Sequence, residues 1–224
     1  MIKILYEDNH LLGVEKPVNM PVNSDDSGDP DLLSACKAYL KETYHKPGNV
    51  YLGLVHRLDR PVGGAMIFAR TSKAASRLSD NVRTHAMKKT YLAVLDGIPD
   101  PLQGELTDYL VKDRKTNMVS VTDEAHGKRS ALSYETLAVN DGKALVRIRL
   151  ETGRSHQIRV QFASRGTPLC YDQRYNPAPG QGQIALWSYQ LEFPHPVTKE
   201  PVCLISRPPE DGAWAAFKEQ YDNL

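Results

Sequence analysis

The chain has 224 residues, 41% of them hydrophobic and 25% charged, a composition that excludes disordered and fibrous proteins and allows a large core. Its first residues lack the apolar run of a signal peptide and no stretch approaches the length of a membrane span, so we expect a cytosolic protein. The three cysteines have no C-x-x-C spacing and the seven histidines form no H-E-x-x-H pattern, so neither a disulfide framework nor a metal site is predicted.

Short apolar and β-branched runs predict strands along most of the chain, and four further segments predict helices. The strands are expected at residues 2–6, 10–16, 64–69, 89–96, 104–111, 117–121, 130–138, 143–151, 183–193 and 201–206. The helices are expected near residues 31–43, with Asp31 as the N-cap, 72–83, 155–165 and 212–221. Short turns such as Asn140-Asp141-Gly142 favour antiparallel pairing. We therefore predict a single α+β domain over residues 1–224, with a large, mainly antiparallel sheet and flanking helices.

Charge is distributed unevenly along a chain whose formal net charge is only +1. Residues 57–89 contain eight Lys or Arg against two Asp, and residues 143–165 contain six against a single Glu. These segments permit nucleic-acid binding if their charges converge in space, and ordinary solvated surface is the equal alternative.

The densest group of functional side chains is His56-Arg57-Leu58-Asp59, followed by Arg60 and by Gly63-Gly64, which can turn the backbone sharply. If residues 55–59 are extended, Arg57 and Asp59 lie on one side of the chain and His56 and Leu58 on the other. Neighbouring guanidinium groups favour an ionised Asp59, as a nucleophile or base requires. The alternative is an Asp that only closes a turn before Pro61.

His56-Arg57-Leu58-Asp59 with Gly64 resembles the H-R-L-D-x-x-T-S-G signature of RluA-type RNA pseudouridine synthases. Residues 152–159 read T-G-R-S-H-Q-I-R and match a second family segment directly. The other segments that agree in order are residues 14–22, 89–97, 166–175 and 186–196. The resemblance covers about residues 4–206 and implies the pseudouridine synthase fold, with a bent sheet.

Several positions depart from the family pattern, and none of them is the carboxylate. The departures are Val62-Gly63 for Thr-Ser, Asn19 and Tyr171 for glycines, Gln161 for His, and Trp187-Ser188 for His-Ala. They leave the class intact and affect the expected RNA target and loop shapes. Because the chain starts directly with catalytic-domain strands, we expect no separate N-terminal RNA-binding domain.

The resemblance implies that the protein isomerises uridine to pseudouridine in ribosomal or transfer RNA without a cofactor. The N-glycosidic bond is broken, the uracil turns in its pocket, and it is rejoined through C5. Asp59 is implied as the catalytic carboxylate. It acts by attack on C1′, by removal of a C2′ proton, or by attack on the uracil ring, and the sequence does not choose among these.

Two further catalytic residues follow from the resemblance. Tyr91 is expected to stack on the target uracil and to be a candidate for removing the C5 proton; without the resemblance, its alternating strand would indicate a core or cross-strand tyrosine. Arg154 is expected to pair with Asp59; its alternative is a surface cation at a helix start, a position that the helix dipole disfavours.

A uridine stacked in structured RNA must be flipped out to be reached. Arg57 or His56 is expected to fill the gap, with a phosphate contact or a structural ion pair as the alternative. The residues assigned to backbone phosphates are Lys89, Arg70, Lys73 and Arg77. Leu186 is proposed as an apolar wall under the base, with a plain core leucine as its alternative.

Two rival functions remain open at this stage. One is a catalytically silent RNA-binding module of the same fold, against which Asp59, Tyr91 and Arg154 are all present. The other is a metal-independent hydrolase that uses Asp59 with a histidine, but the chain has no G-x-S-x-G nucleophile elbow. We expect a monomer that binds RNA and no membrane.

Overall fold

A computed structural model describes residues 2–224 and contains eleven strands, four α-helices and one 3-10 helix in these residues. The strands are β1 Lys3–Glu7, β2 Leu11–Lys16, β3 Gly53–Leu54, β4 Gly63–Ala69, β5 Lys88–Asp96, β6 Gln103–Lys112, β7 Val119–Thr122, β8 Lys128–Asn140, β9 Lys143–Leu150, β10 Leu186–Pro194 and β11 Pro201–Ile205. The helices are α1 Leu32–Thr43, α2 Ser72–Arg83, α3 Gln157–Ala163, the 3-10 helix Gly212–Phe217, and α4 Lys218–Asp222. The predicted α+β class with a large, mainly antiparallel sheet is confirmed.

Helix starts in the first half of the chain are fixed by side-chain caps. The Asp31 carboxylate accepts a hydrogen bond of 2.9 Å from the Ser34 N–H, as predicted for the start of α1. The Thr71 hydroxyl accepts one of 3.1 Å from the Ala74 N–H at the start of α2. The helix predicted from residue 155 begins instead at Gln157, because His156 has a left-handed backbone with φ of 52°.

By its internal contacts the chain divides into two compact units. The first comprises residues 2–89 and 188–206 of the described chain. Its strand order is β1-β2-β4-β10, with β3 also paired to β4 and β11 to β10. The core lies between this sheet and α2, and its fully buried members include Leu11, Ile67, Leu78 and Leu191. This unit carries the His56–Asp59 segment.

The second unit comprises residues 90–187 and 207–224, with strand order β5-β9-β8-β6-β7. Each of these neighbouring pairs is antiparallel. Tyr134 of β8 packs edge-on against Phe162 of α3, with ring centroids 5.3 Å apart. Helix α3 therefore covers one face of this sheet and holds the preceding loop, residues 151–156, at its edge.

None of the helices in residues 2–224 combines the length and the apolar composition that crossing a bilayer requires.

Candidate active site

The Asp59 segment of the first unit is an irregular stretch that ends in a turn. Residues 55–59 form no strand, and the Val62 N–H donates to the Asp59 carbonyl at 3.0 Å. Leu58 is buried and Arg57 is exposed, as alternation of an extended chain predicts, while Asp59 is half-buried. The buried Leu58 side chain thus anchors this segment, and the Asp59 side chain remains partly accessible.

Lys16, at the end of β2, is a completely buried amine beside this turn. Its Nζ donates to the Pro17 carbonyl at 2.8 Å and to the Arg60 carbonyl at 2.9 Å. Burial lowers the pKa of Lys16 to about 7, although the negative charge of Asp59 acts in the opposite direction. Lys16 therefore fixes the backbone next to Asp59 and interacts with its charge, a role that the sequence did not reveal.

His56 is held by the neighbouring strand. Its Nε2 accepts a hydrogen bond of 3.1 Å from the Ile67 N–H of β4, which requires an unprotonated nitrogen at that position. Burial, together with the positive charge of Lys89, lowers the pKa of His56 to about 3. This neutral, anchored ring does not support the predicted insertion of His56 into RNA, and it leaves the exposed Arg57 as the candidate for that role.

Gly64 brings β4 and β10 together closely within the first unit. Its φ is +117°, and a Cβ on it would lie 2.3 Å from the Ser188 carbonyl oxygen. Only glycine combines that backbone conformation with that contact. The glycine of the H-R-L-D segment is therefore a packing requirement of the strand that follows the Asp59 turn.

The cations predicted to contact phosphates differ in availability. Arg70 is almost fully buried: its Nη1 is 3.0 Å from the Glu7 carboxylate, and its guanidinium lies over the Tyr44 ring at 4.6 Å. The predicted phosphate contact of Arg70 is therefore not supported, because its charge is already neutralised internally. Arg77 donates to the Pro196 carbonyl at 2.8 Å, whereas Lys73 is exposed on α2. Burial lowers the pKa of the half-buried Lys89.

In the second unit, Tyr91 lies on β5 opposite Ile148 of β9 and is only 7% exposed. Leu186, the first residue of β10, is 5% exposed. The preceding residue, Ala185, accepts a hydrogen bond of 3.0 Å from the Val94 N–H of β5. Both predicted base-contacting side chains are thus held on strands, which restricts their movement.

Arg154 lies in the loop before α3, three residues ahead of the first helical residue. Its backbone N–H donates to the Gln157 side chain at 3.0 Å, and its Nε donates to the Arg129 carbonyl at 3.2 Å. Gln157 is also 2.8 Å from the Thr152 hydroxyl, which donates to it. The T-G-R-x-H-Q segment therefore closes on itself and presents the Arg154 guanidinium from a fixed loop.

A buried ion pair between α3 and residue 172 packs beside the Arg154 loop. Arg159 donates from Nε and Nη2 to the two oxygens of Asp172 at 2.8 and 2.6 Å, and both side chains are at most 5% exposed. The guanidinium also lies over the Tyr175 ring at 5.1 Å. The Tyr175 hydroxyl is 2.7 Å from Nδ1 of His156. The network links α3 to residues 172–175, and sequence reasoning matched these positions without assigning them this role.

The predicted site residues are therefore divided between the units. The first unit holds Asp59, His56, Arg57, Arg70, Lys73, Arg77 and Lys89. The second holds Tyr91, Arg154 and Leu186. Within the first unit the structure brings Asp59 close to Lys16, and His56 close to Lys89.

Comparison with known proteins gives concordant matches. A family model described as RNA pseudouridylate synthase matches residues 10–164. A ribosomal large subunit pseudouridine synthase D of Zymomonas mobilis is 30% identical, over 94% of this chain and 70% of that protein. An uncharacterised RNA pseudouridine synthase of the same organism is 32% identical, over 89% of this chain and 90% of that protein. The solved structure of human RNA pseudouridylate synthase domain containing 4 has a similar fold, with a TM-score of 0.81 at 20% identity, covering 98% of this chain and 93% of that one.

Proposed function

Because the chain belongs to the RNA pseudouridylate synthase family, we propose that it isomerises specific uridines in structured ribosomal or transfer RNA, with Asp59 as the catalytic carboxylate. The observation that carries the assignment to Asp59 is its place in His56-Arg57-Leu58-Asp59, on a turn anchored by the buried amine of Lys16. A surface turn residue needs no such anchor. A carboxylate that reacts with one atom of a substrate needs such an anchor, because small displacements of a reacting group lower the reaction rate strongly.

The reaction balances without a redox agent. The bond from uracil N1 to C1′ breaks, a bond from C5 to C1′ forms, the C5 proton leaves, and N1 gains a proton. Asp59 starts the sequence either by attacking C1′ or by removing a proton from C2′. Either route needs an ionised carboxylate.

Tyr91 and Arg154 are proposed as the further catalytic residues. The buried ring of Tyr91 is suited to stack on uracil, and its hydroxyl to accept the C5 proton late in the reaction. Arg154 is suited to stabilise negative charge during the reaction, because its loop is fixed by Gln157 and a guanidinium is always charged.

Base flipping exposes the target uridine, at a cost of roughly a few kcal/mol. Arg57 is proposed to occupy the vacated position, since it is exposed two residues before Asp59, whereas the exposed Arg60 is already paired with Asp25 and Asp29. Lys73 and Lys89 are proposed as phosphate contacts, with Arg77 as a weaker candidate because it already donates to Pro196. Leu186 is proposed as the apolar wall under the base.

The test is pseudouridine mapping in cells that lack the protein. Ribosomal and transfer RNA from such cells are compared with RNA from cells that again express the parent or Asp59→Asn. We expect specific sites to be lost in the deletion, restored by the parent, and not restored by the variant. An unchanged pseudouridine pattern in the deletion would refute modification of these RNAs, and restoration by Asp59→Asn would refute the role of that carboxylate.

A further inference from the structure

The second unit contains a cavity of about 460 Å³ beside the Arg154 loop. It lies between the end of β6, the start of β7, the turn before β8 and the loop before α3. The residues that line it are Leu110, Val111, Lys112, Arg114, Val119, His126, Lys128, Gly153, Arg154 and Ser155. This volume is within the range of roughly 300–1,000 Å³ that is usual for ligand pockets.

The charge of this cavity has one sign. Lys112, Arg114, Lys128 and Arg154 all contribute to its wall, and no described residue of the wall is Asp or Glu. Of the acidic residues nearby in sequence, Asp113 accepts the Lys115 N–H at 2.7 Å. Asp123 pairs at 2.7 Å with His126, which itself lines the cavity, so one carboxylate lies behind this wall. A second cavity of about 210 Å³ in the same unit is different, because Glu105 and Glu151 line it with Arg149.

The floor of the cationic cavity is apolar and rigid. Leu110 and Val119 are at most 5% exposed and pack together with Val160 of α3. The Val119 N–H donates to the Tyr175 hydroxyl at 2.9 Å, so the edge of β7 is fastened to the network of Arg159 and Asp172. A preformed site of this kind binds a ligand without the loss of conformational entropy that ordering the site would require.

We propose that this cavity binds a phosphodiester of the substrate RNA, next to the nucleotide that reacts at Arg154. The cations of Lys112, Arg114 and Lys128 contact the phosphate, and the sugar and its neighbouring base lie on Leu110 and Val119. The match is one of charge and shape: RNA carries one negative charge per nucleotide, and its unstacked nucleotides present apolar faces. The inference rests on the proposed function for its choice of RNA as the anion.

The experiment compares Lys112→Gln/Lys128→Gln with Lys41→Gln/Lys46→Gln, in which two exposed lysines of the first unit lose the same charge. Binding of a single-stranded oligouridylate is measured by fluorescence anisotropy over a range of salt concentrations. The cavity variant is expected to bind more weakly, and its slope of log Kd against log salt should be smaller by about 0.7, the contribution of one neutralised phosphate of a single strand. The control pair should keep the slope of the parent. Thermal melts establish that both variants are folded.

The inference fails if the two double variants change affinity and slope equally, because the effect is then one of net charge, or if neither changes. Its failure is distinguishable from failure of the proposed function, since RNA binding and pseudouridine formation are separate measurements. If the parent modifies RNA but the cavity variant binds RNA as tightly as the parent, the proposed function is supported and the cavity site is refuted. If the parent does not modify RNA but the cavity variant shows the smaller salt slope, the cavity site is supported and the proposed function is refuted.

Discussion

His56 shows how one residue in a functional signature can serve the fold. Its position next to Arg57 suggests a substrate contact, but its Nε2 accepts the Ile67 N–H and the residue is partly buried. A positive imidazole is disfavoured there, both by burial and by Lys89. His56 therefore fastens the Asp59 segment to β4, and this fastening should weaken in acid.

Replacing His56 by Gln is expected to remove a specific acid sensitivity. The pKa of His56 falls from its ordinary 6.5 to about 3 in the folded protein, so between these values only the unfolded chain binds the proton. The parent should lose stability as the pH falls from about 6.5 towards 3, by on the order of several kcal/mol relative to His56→Gln, whose amide can still accept the Ile67 N–H. Urea unfolding of both proteins across this range measures the difference. Parallel curves would contradict the role given to His56.

The sequence singled out Asp59 as the candidate carboxylate but gave Lys16 no role, for a physical reason. Asp59 lies in a dense group of ionisable residues, which is visible in one dimension. The environment of Lys16 depends on the Arg60 carbonyl, a contact across 44 positions of the chain. A lysine at the end of an apolar strand normally extends its amine into water, and only the folded chain reveals that this one is fully buried.

At the scale of elements, strands and long helices were predicted well and short irregular ones were not. Asp31 marked the start of α1 correctly, because a cap is a local signal, and α2 begins at residue 72 as predicted. Strand β3 was missed, since two residues give no periodicity and its pairing to β4 is tertiary. The helix predicted at 212–221 is divided into a 3-10 helix up to Phe217 and α4 from Lys218.

The ion pair between α3 and residue 172 should be among the most sensitive elements of the second unit. Asp172→Asn removes the negative partner of the buried Arg159, and an uncompensated buried charge costs about 3–5 kcal/mol. Glu151→Gln is the matched control, because its pair with Arg129 has a similar distance of 2.6 Å but is about half exposed, and such pairs contribute roughly 0–1 kcal/mol. Chemical denaturation measures both. Equal losses of stability in the two variants would show that the buried network does not support the Arg154 loop.

At the scale of the whole molecule, the order of the signatures predicted the family, and the net charge predicted little. The formal net charge of +1 gives no indication of the cavity whose ionisable wall residues are basic. In the sequence, these basic residues lie between acidic neighbours. Segment-by-segment counting singled out residues 57–89, of which Arg70 proved to be internal. The same counting did not single out Lys112, Arg114 and Lys128, because the negative charges of Asp113, Asp123 and Glu124 make the net charge of their segment close to zero. Only the folded chain shows which of these charges line a common cavity.

The function proposed for the whole chain requires catalytic residues from both of its units. Arg154→Ala is expected to lower the single-turnover rate of pseudouridine formation by about 10²–10³-fold, as is typical when a group that stabilises developing charge is removed. RNA affinity should change little, because other cations are proposed to contact the phosphates. Rapid-quench kinetics with saturating RNA, combined with a binding titration, separate the two effects. A variant that reacts at the parent's rate would exclude Arg154 from catalysis.

The most direct test of the central claim, that Asp59 performs the chemistry, uses RNA labelled with tritium at C5 of uridine. Isomerisation replaces the C5–H bond by a C5–C1′ bond, so each turnover releases tritium to water. The parent is predicted to release it, and Asp59→Asn is predicted to release none while still binding the same RNA. Release by Asp59→Asn at the rate of the parent would contradict the account.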